Sequence, residues 1–298
     1  MKENRPRRPA RATRSNEWTG YLFILPQVLG FSMFGLLPLV ANLVLAFYRW
    51  DILTPAKFIG LANFSKLVHD EIFLNALLNS IQYSAMYVLP CLVVSLGLAL
   101  LLNLRVRGMG FFRTAYYLPV VTSYVVATIV WRWLFDYNIG PFNQWLSYLH
   151  IPPVPWLVNT QWAIPSLVLM AIWKNSGYSV LIYLAGLQNI PHECQEAAQI
   201  DGANAVQVFR FVTWPLLRPT TFLLIVMLTI WSFQAFAQPY LMTLGGPARA
   251  TETLVYFIYK QGFSFYTFGY SALAALVMMA LVFLITGVLR RFSEGGTA

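Results

Sequence analysis

The chain has 298 residues, 58% hydrophobic and 10% charged, with a mean hydropathy of +0.60. Soluble domains carry about 25% charged residues, so an ordinary soluble enzyme, a disordered chain and a disulfide scaffold are all excluded. The net charge of +9 points to a basic face at an anionic membrane surface and not to nucleic acid, because the bases segregate by loop as set out below.

Residues 1–17 form a basic tail with Lys2, Arg5, Arg7, Arg8, Arg11 and Arg14. The apolar run behind it, Tyr21 to Phe47, is too long for a signal-peptide core and lacks a small-residue cleavage site, so it reads as a retained first span. A hydrocarbon core about 30 Å thick takes roughly 20 apolar helical residues. Five further stretches meet that length: Leu77 to Leu104, Ala115 to Phe135, Trp162 to Leu187, Thr220 to Leu241, and Tyr270 to Leu289. All are continuously apolar, whereas a transmembrane barrel alternates in segments of about 10 residues. The predicted fold is therefore an all-α membrane protein, a six-helix bundle over 18–291 followed by a tail, 292–298. Pro26, Pro38, Pro90, Gly97, Gly177 and Gly186 interrupt spans one, two and four. Packed membrane helices tolerate such breaks when neighbours re-satisfy the freed backbone groups.

Between spans three and four, Asp136 to Gln161 is rich in proline, with a short Phe142 to Leu149 piece expected to lie in the interface. Tyr48 with Trp50, Trp131 with Trp133, and Trp156 with Trp162 flank the spans as an interfacial belt does. Thirteen Lys and Arg fall on one side, in the tail and at Arg105, Arg107, Arg113, Arg210, Arg218, Arg290 and Arg291. Five fall on the other: Arg49, Lys57, Lys66, Arg249 and Lys260. Both termini are therefore expected in the cytoplasm. Cys91 and Cys194 offer no disulfide or metal spacing, and no cofactor is implied.

The loop between spans four and five, 188–219, is the most informative polar segment. Pro191 and the acids Glu193 and Glu196 mark a helix start, predicting a helix over 192–200. Ala197, Ala198 and Gly202 are small enough for another protein to approach the backbone closely. A second helix, Ala203 to Val212, is predicted to end before Pro215, because the residue preceding proline is pushed away from helical angles. The expected result is a helix-turn-helix lying on the cytoplasmic face.

Glu196-Ala197-Ala198, three residues, Gly202, nine residues, then Val212-x-Trp214-Pro215 resembles the EAA loop of permease subunits in binding-protein-dependent ABC importers, with Val for Ile and Trp for Leu. Asp201-Gly202-Ala203, Pro215-Leu-Leu-Arg-Pro219, Leu25-Pro26, Phe58 to Phe64, Asn75 to Asn79 and Met242 to Pro247 are similar to the carbohydrate-importing branch. The resemblance implies a type I bundle of the maltose-permease kind in a bacterial inner membrane. It implies that Glu196, Ala197, Ala198, Asp201, Gly202 and Pro215 couple the chain to an ATPase. The implied partners are a second homologous permease, two cytoplasmic ATPase copies, an extracellular or periplasmic solute-binding protein and a sugar.

Polar residues inside spans are costly and usually face the bundle interior. Span two offers Gln82, Tyr83, Ser84 and Tyr87; span three Thr122, Ser123 and Tyr124; span four Lys174, Asn175, Ser176, Tyr178 and Tyr183; span five Trp231, Ser232, Gln234 and Gln238. Sugars stack on aromatic rings and hydrogen-bond to amides and hydroxyls, so Lys174, Asn175, Tyr178, Trp231, Ser232 and Gln234 form the candidate pathway. By the resemblance, Tyr178 and Trp231 stand at the maltose-type permease's site tyrosine and site aromatic. Its two asparagines fall on Ser232 and Ala235, which leaves the sugar open. Lys174 admits two readings, snorkelling outward or touching an anionic solute such as a sugar phosphate. A Walker phosphate loop is absent from the sequence, so any ATP must be hydrolysed by another subunit and no catalytic site is expected. The alternative, an ion-coupled secondary transporter, calls for ionisable residues at mid-membrane, and no Asp or Glu lies centrally in a predicted span.

Overall fold

The computed structural model describes residues 15–104 and 109–294. The basic tail from Lys2 to Arg14, Arg105 and Arg107, and the end of the C-terminal tail lie outside the described residues. Five helices are long and apolar enough to cross a bilayer: Gly20–Leu45, Glu71–Leu102, Thr160–Gln188, Ala205–Phe233 and Phe268–Arg291. A bent pair, Gly110–Val121 with Tyr124–Leu134, is together long and apolar enough for a sixth crossing if the two helices form one broken span. The architecture is the expected all-α bundle.

Spans two and four form its centre and span five closes on both. Asp70 starts span two by accepting from the amides of Ile72 and Phe73, and Asn159 starts span four by accepting from Gln161. Such caps satisfy amides that the first helical turn leaves without partners. Leu167, Met170 and Tyr183 of span four interdigitate with Tyr87 and Cys91 of span two and with Leu217, Leu224 and Leu228 of span five. Close approach depends on small residues, as is usual between membrane helices. A methyl at Gly177 would lie 2.8 Å from the Tyr116 carbonyl oxygen, and one at Gly186 would lie 2.8 Å from Thr220 Oγ1. A second cluster ties Ala46, Leu67 and Phe73 to Leu254, Phe257, Tyr270 and Leu273, joining the ends of spans one, two and six. The rest of span one lies against span six, with Asn42 Nδ2 donating to Ala272 O at 3.3 Å, but 0% of its apolar window is buried against 61% for span four.

Four sequence expectations are corrected. Span three is not one rod: it turns by 97° at Thr122 and Ser123. Pro119 lies three residues before the turn and donates nothing to the ladder, and the Thr122 hydroxyl donates to the Pro119 carbonyl at 2.6 Å. Span five begins at Ala205 and runs through Pro215 to Phe233, so the segment after Gly202 is the start of the span and not a separate surface helix. The π-helical turn Phe209–Thr213 ends two residues before Pro215. Its wider ring displaces the hydrogen-bond ladder at the point where proline has no donor. At the other end, Gln234 to Phe236 leave the helix before the turn Pro239–Thr243, so the crossing does not run unbroken to Leu241. Finally, Trp131 is not an interfacial anchor, because the helix Pro141–Tyr148 packs over it. Phe142 meets Trp131, Phe135 and Trp156, and Trp131 is only 8% exposed, so packing and not interfacial anchoring places that tryptophan.

Candidate functional site

Two features stand at opposite ends of span five. The first is the loop helix His192–Ile200, none of whose residues is buried. It ends on Gly202, whose φ of +84° is a left-handed angle that glycine adopts without steric penalty. The Gly202 amide donates to Gln199 O at 3.0 Å and the Ala203 amide to Ala198 O at 2.9 Å, the paired bonds that close a helix on such a residue. Asn204 then opens span five through a reciprocal cap with Gln207, at 2.8 and 2.9 Å. The turn between the helices is thus held by backbone geometry at both sides.

Glu196, Ala197, Asp201 and Gly202 are exposed on this element, while Ala198 is half-buried. Pro215 is not on it: it lies half-buried inside span five, ten residues after its start at Ala205. A Cβ at Gly202 would meet nothing within 4 Å, so within this chain the glycine serves the backbone angle and not a close contact. Ile200, Val206 and Phe211 stand 86%, 72% and 68% exposed beside it. These apolar side chains add to the small residues a contact surface that the sequence motif does not name.

The second feature is a cavity of about 310 Å³ at the broken end of span five, lined by Tyr83, Tyr87, Tyr124, Asn175, Trp231, Ser232 and Gln234 to Gln238. Unwound backbone at membrane depth is tolerated where it lines a cavity or is buried in protein, and here the Thr253 hydroxyl donates to Ala235 O at 2.8 Å. Gln238 Nε2 donates to the Tyr83 hydroxyl at 3.1 Å and also bonds Tyr124. Asn175 Nδ2 donates to the Tyr87 hydroxyl at 3.1 Å, and Ser232 Oγ to Ser84 Oγ at 2.7 Å. The wall thus alternates aromatic faces with amides and hydroxyls, and none of its side chains is charged. Such a surface can stack on the apolar face of a polyhydroxylated solute and exchange hydrogen bonds with its rim.

Of the six residues singled out for the pathway, Asn175, Trp231, Ser232 and Gln234 meet at this cavity. Tyr178 does not line it; its ring packs edge-on against Trp231 at 5.2 Å. Lys174 does not line it either. It is 4% exposed, its Nζ donates to the Val120 carbonyl at 3.0 Å, and it lies 5.5 Å from the Tyr124 ring centre. The side chain does not snorkel outward: its ammonium binds a backbone carbonyl where span three bends. Tyr83, Tyr87, Tyr124 and Gln238 complete the cavity although the selection left them out. They belong to the intramembrane polar set, and the Gln238-Pro239 step after span five was the sequence sign of a break.

Residues 92–295 match the family described as binding-protein-dependent transport system inner membrane component. The chain is 36% identical over 294 residues to YesP, a probable ABC transporter permease protein of Bacillus subtilis, with 96% of this chain and 93% of that protein covered. It is 38% identical to the sn-glycerol-3-phosphate transport system permease protein UgpA of Agrobacterium fabrum, over 94% of this chain and 96% of that protein. The fold superposes with a TM-score of 0.83, at 24% identity, on a bacterial ABC transporter involved in import of the acidic polysaccharide alginate, covering 95% of this chain and 98% of that one. A multi-span bundle, a protruding loop helix before the fifth span and a match across two thirds of the sequence lead to one assignment: the chain belongs to the family of binding-protein-dependent transport system inner membrane components.

Proposed function

We propose that this chain is the permease subunit of an ATP-driven importer for a sugar or a closely related polyol. A solute-binding protein delivers the solute to the cavity lined by Trp231, Asn175 and the three tyrosines. The helix His192–Ile200, through Glu196, Ala197, Ala198, Asp201 and Gly202, seats in a separate ATPase subunit. A second permease and a second ATPase copy complete the assembly. On this reading both tails and the loop helix face the cytoplasm, residues 18–291 form the transport unit, and the chain performs no hydrolysis of its own. The family's dependence on a binding protein leaves the ion-coupled alternative without support.

The observation that carries the proposal is the continuity of span five. Its 29 residues, at about 1.5 Å each, make a lever roughly 44 Å long from the Gly202 turn to the Trp231 cavity. ATP-driven movement at one end is thereby felt at the other. Pro215 matters because the π turn lets the lever pass through it. The test is uptake of labelled mono- and oligosaccharides by the complete transporter in vesicles. Trp231→Ala and Asn175→Ala are expected to abolish uptake while basal ATP hydrolysis persists; full uptake by both variants would refute the cavity assignment. Cysteine at Ala197 is expected to crosslink to the ATPase, and an absent crosslink would refute the coupling assignment.

A further inference from the structure

A second cavity, about 370 Å³, lies where span one ends and span six begins, on the side of the bundle opposite the His192–Ile200 loop. Its wall brings together two cations, Arg49 and Lys66, one carboxylate, Asp51, and the rings of Trp50, Tyr266 and Tyr270. The cavity is preformed. Buried Asn63 donates to the carbonyls of Ala46 and Tyr48 at 2.8 and 3.1 Å, and the Phe268 amide donates to Trp50 O at 3.0 Å. Gly269 sits so close to the Tyr48 carbonyl that any side chain there would collide with it. Tyr266 holds a left-handed φ of +55° at the wall, an angle that persists only where the surroundings enforce it.

The charges in this cavity are only partly spent. Asp51 Oδ1 accepts from the Thr54 amide and hydroxyl at 2.8 and 2.7 Å. Those bonds hold the carboxyl below its usual range, so it is ionised at neutral pH. Lys66 Nζ lies 4.2 Å over the Tyr270 ring, and neither Lys66 nor Arg49 has an acidic partner among the described residues. Two open cations and one carboxylate in a single aromatic cavity match a ligand carrying both a phosphate and an ammonium. The ends of spans one and six place that cavity at the membrane surface.

We propose that the cavity binds the headgroup of a zwitterionic phospholipid of the phosphoethanolamine type, the phosphate between Arg49 and Lys66 and the ammonium against Asp51 and the Trp50 face. A guanidinium suits phosphate because its donors form a planar fork, and an ammonium is drawn to an indole face. The site is independent of the sugar cavity, which shares none of its residues.

The test is native mass spectrometry of the complete transporter released from nanodiscs of phosphatidylethanolamine or phosphatidylglycerol. Wild type is expected to retain phosphatidylethanolamine in preference. Arg49→Gln with Lys66→Gln should lower its retention at least tenfold, because each lost charge-assisted hydrogen bond alone is worth about that factor. Asp51→Asn should lower phosphatidylethanolamine retention and leave phosphatidylglycerol unchanged. Arg49→Lys with Lys66→Arg, which keeps both charges, should retain the lipid and guards against loss through misfolding. Equal retention of both lipids by wild type, or no effect of removing the two cations, would overturn the proposal. Displacement of the lipid by free phosphoethanolamine at equal concentration would assign the site to a soluble phosphate ester instead. A crosslink from a cysteine at Arg49 to the solute-binding protein in lipid-free complex, with no lipid retained, would make the cavity a protein-docking surface and also overturn it.

Discussion

Gly202 and Lys174 show how a single residue's chemistry is decided by backbone it touches. At Gly202 a Cβ meets no neighbour, yet φ is +84°, and a left-handed residue other than glycine costs about 1–2 kcal/mol. Gly202→Asp is therefore expected to loosen the turn without unfolding the bundle, lowering solute moved per ATP hydrolysed. Gly202→Asn should retain more coupling, because asparagine tolerates that region. Equal transport-to-hydrolysis ratios for the two variants would remove the backbone argument. Lys174 meets the Val120 carbonyl at 3.0 Å. Lys174→Met leaves that acceptor unpaired, at about 1–3 kcal/mol, and is expected to lower the unfolding temperature of the detergent-purified protein. Lys174→Gln, which can still donate, should preserve both stability and uptake. Selective loss of uptake of a charged solute in the Gln variant would instead put Lys174 on the pathway.

Between elements, the fold depends on how nearly helices approach, and two span glycines differ sharply on that measure. A methyl at Gly177 would press on the Tyr116 backbone oxygen at 2.8 Å, whereas one at Gly97 would meet nothing within 4 Å. Overpacking a tight contact costs about 1–3 kcal/mol, while Gly→Ala in an open helix position stabilises by roughly 0.4–1 kcal/mol. Gly177→Ala should thus lower the unfolding temperature and Gly97→Ala should raise it or leave it unchanged; the opposite order in a thermal melt would contradict the packing of spans three and four. The sequence could not rank these two glycines. Both sit in apolar runs, and hydropathy records length but not which residues face a neighbour. For the same reason apolar length located the five continuous spans and the segment of the bent pair, yet missed the bend at Thr122 and Ser123 and the stop after Phe233. Proline alone misled at Pro215, since its missing donor ends a regular α-helix but fits beside a π turn.

At the scale of the whole molecule, the loop motif was legible because it is contiguous: Glu196 to Gly202 lie on one helix and its cap. The cavity was only half legible, because Tyr83, Tyr124 and Gln238 come from three different segments and meet only after span five unwinds. The two ends are joined by one helix, and that continuity makes a thermodynamic claim. If solute at the Trp231 cavity changes nucleotide affinity in the ATPase, nucleotide must change solute affinity by the same factor. Softening the lever without touching either end should weaken both together. Leu223 is 50% exposed, faces away from the core and lies between the Gly202 turn and Trp231. Leu223→Gly gives up about 1 kcal/mol of helix propensity, equivalent to about fivefold in an equilibrium constant. The expected outcome is a several-fold smaller change of nucleotide affinity on solute addition, and an equal reduction measured in reverse, with solute affinity in the nucleotide-free transporter unchanged. Reciprocal titrations of the reconstituted complex decide it: undiminished coupling in Leu223→Gly would mean that span five is a strut and that the signal crosses the bundle by another element.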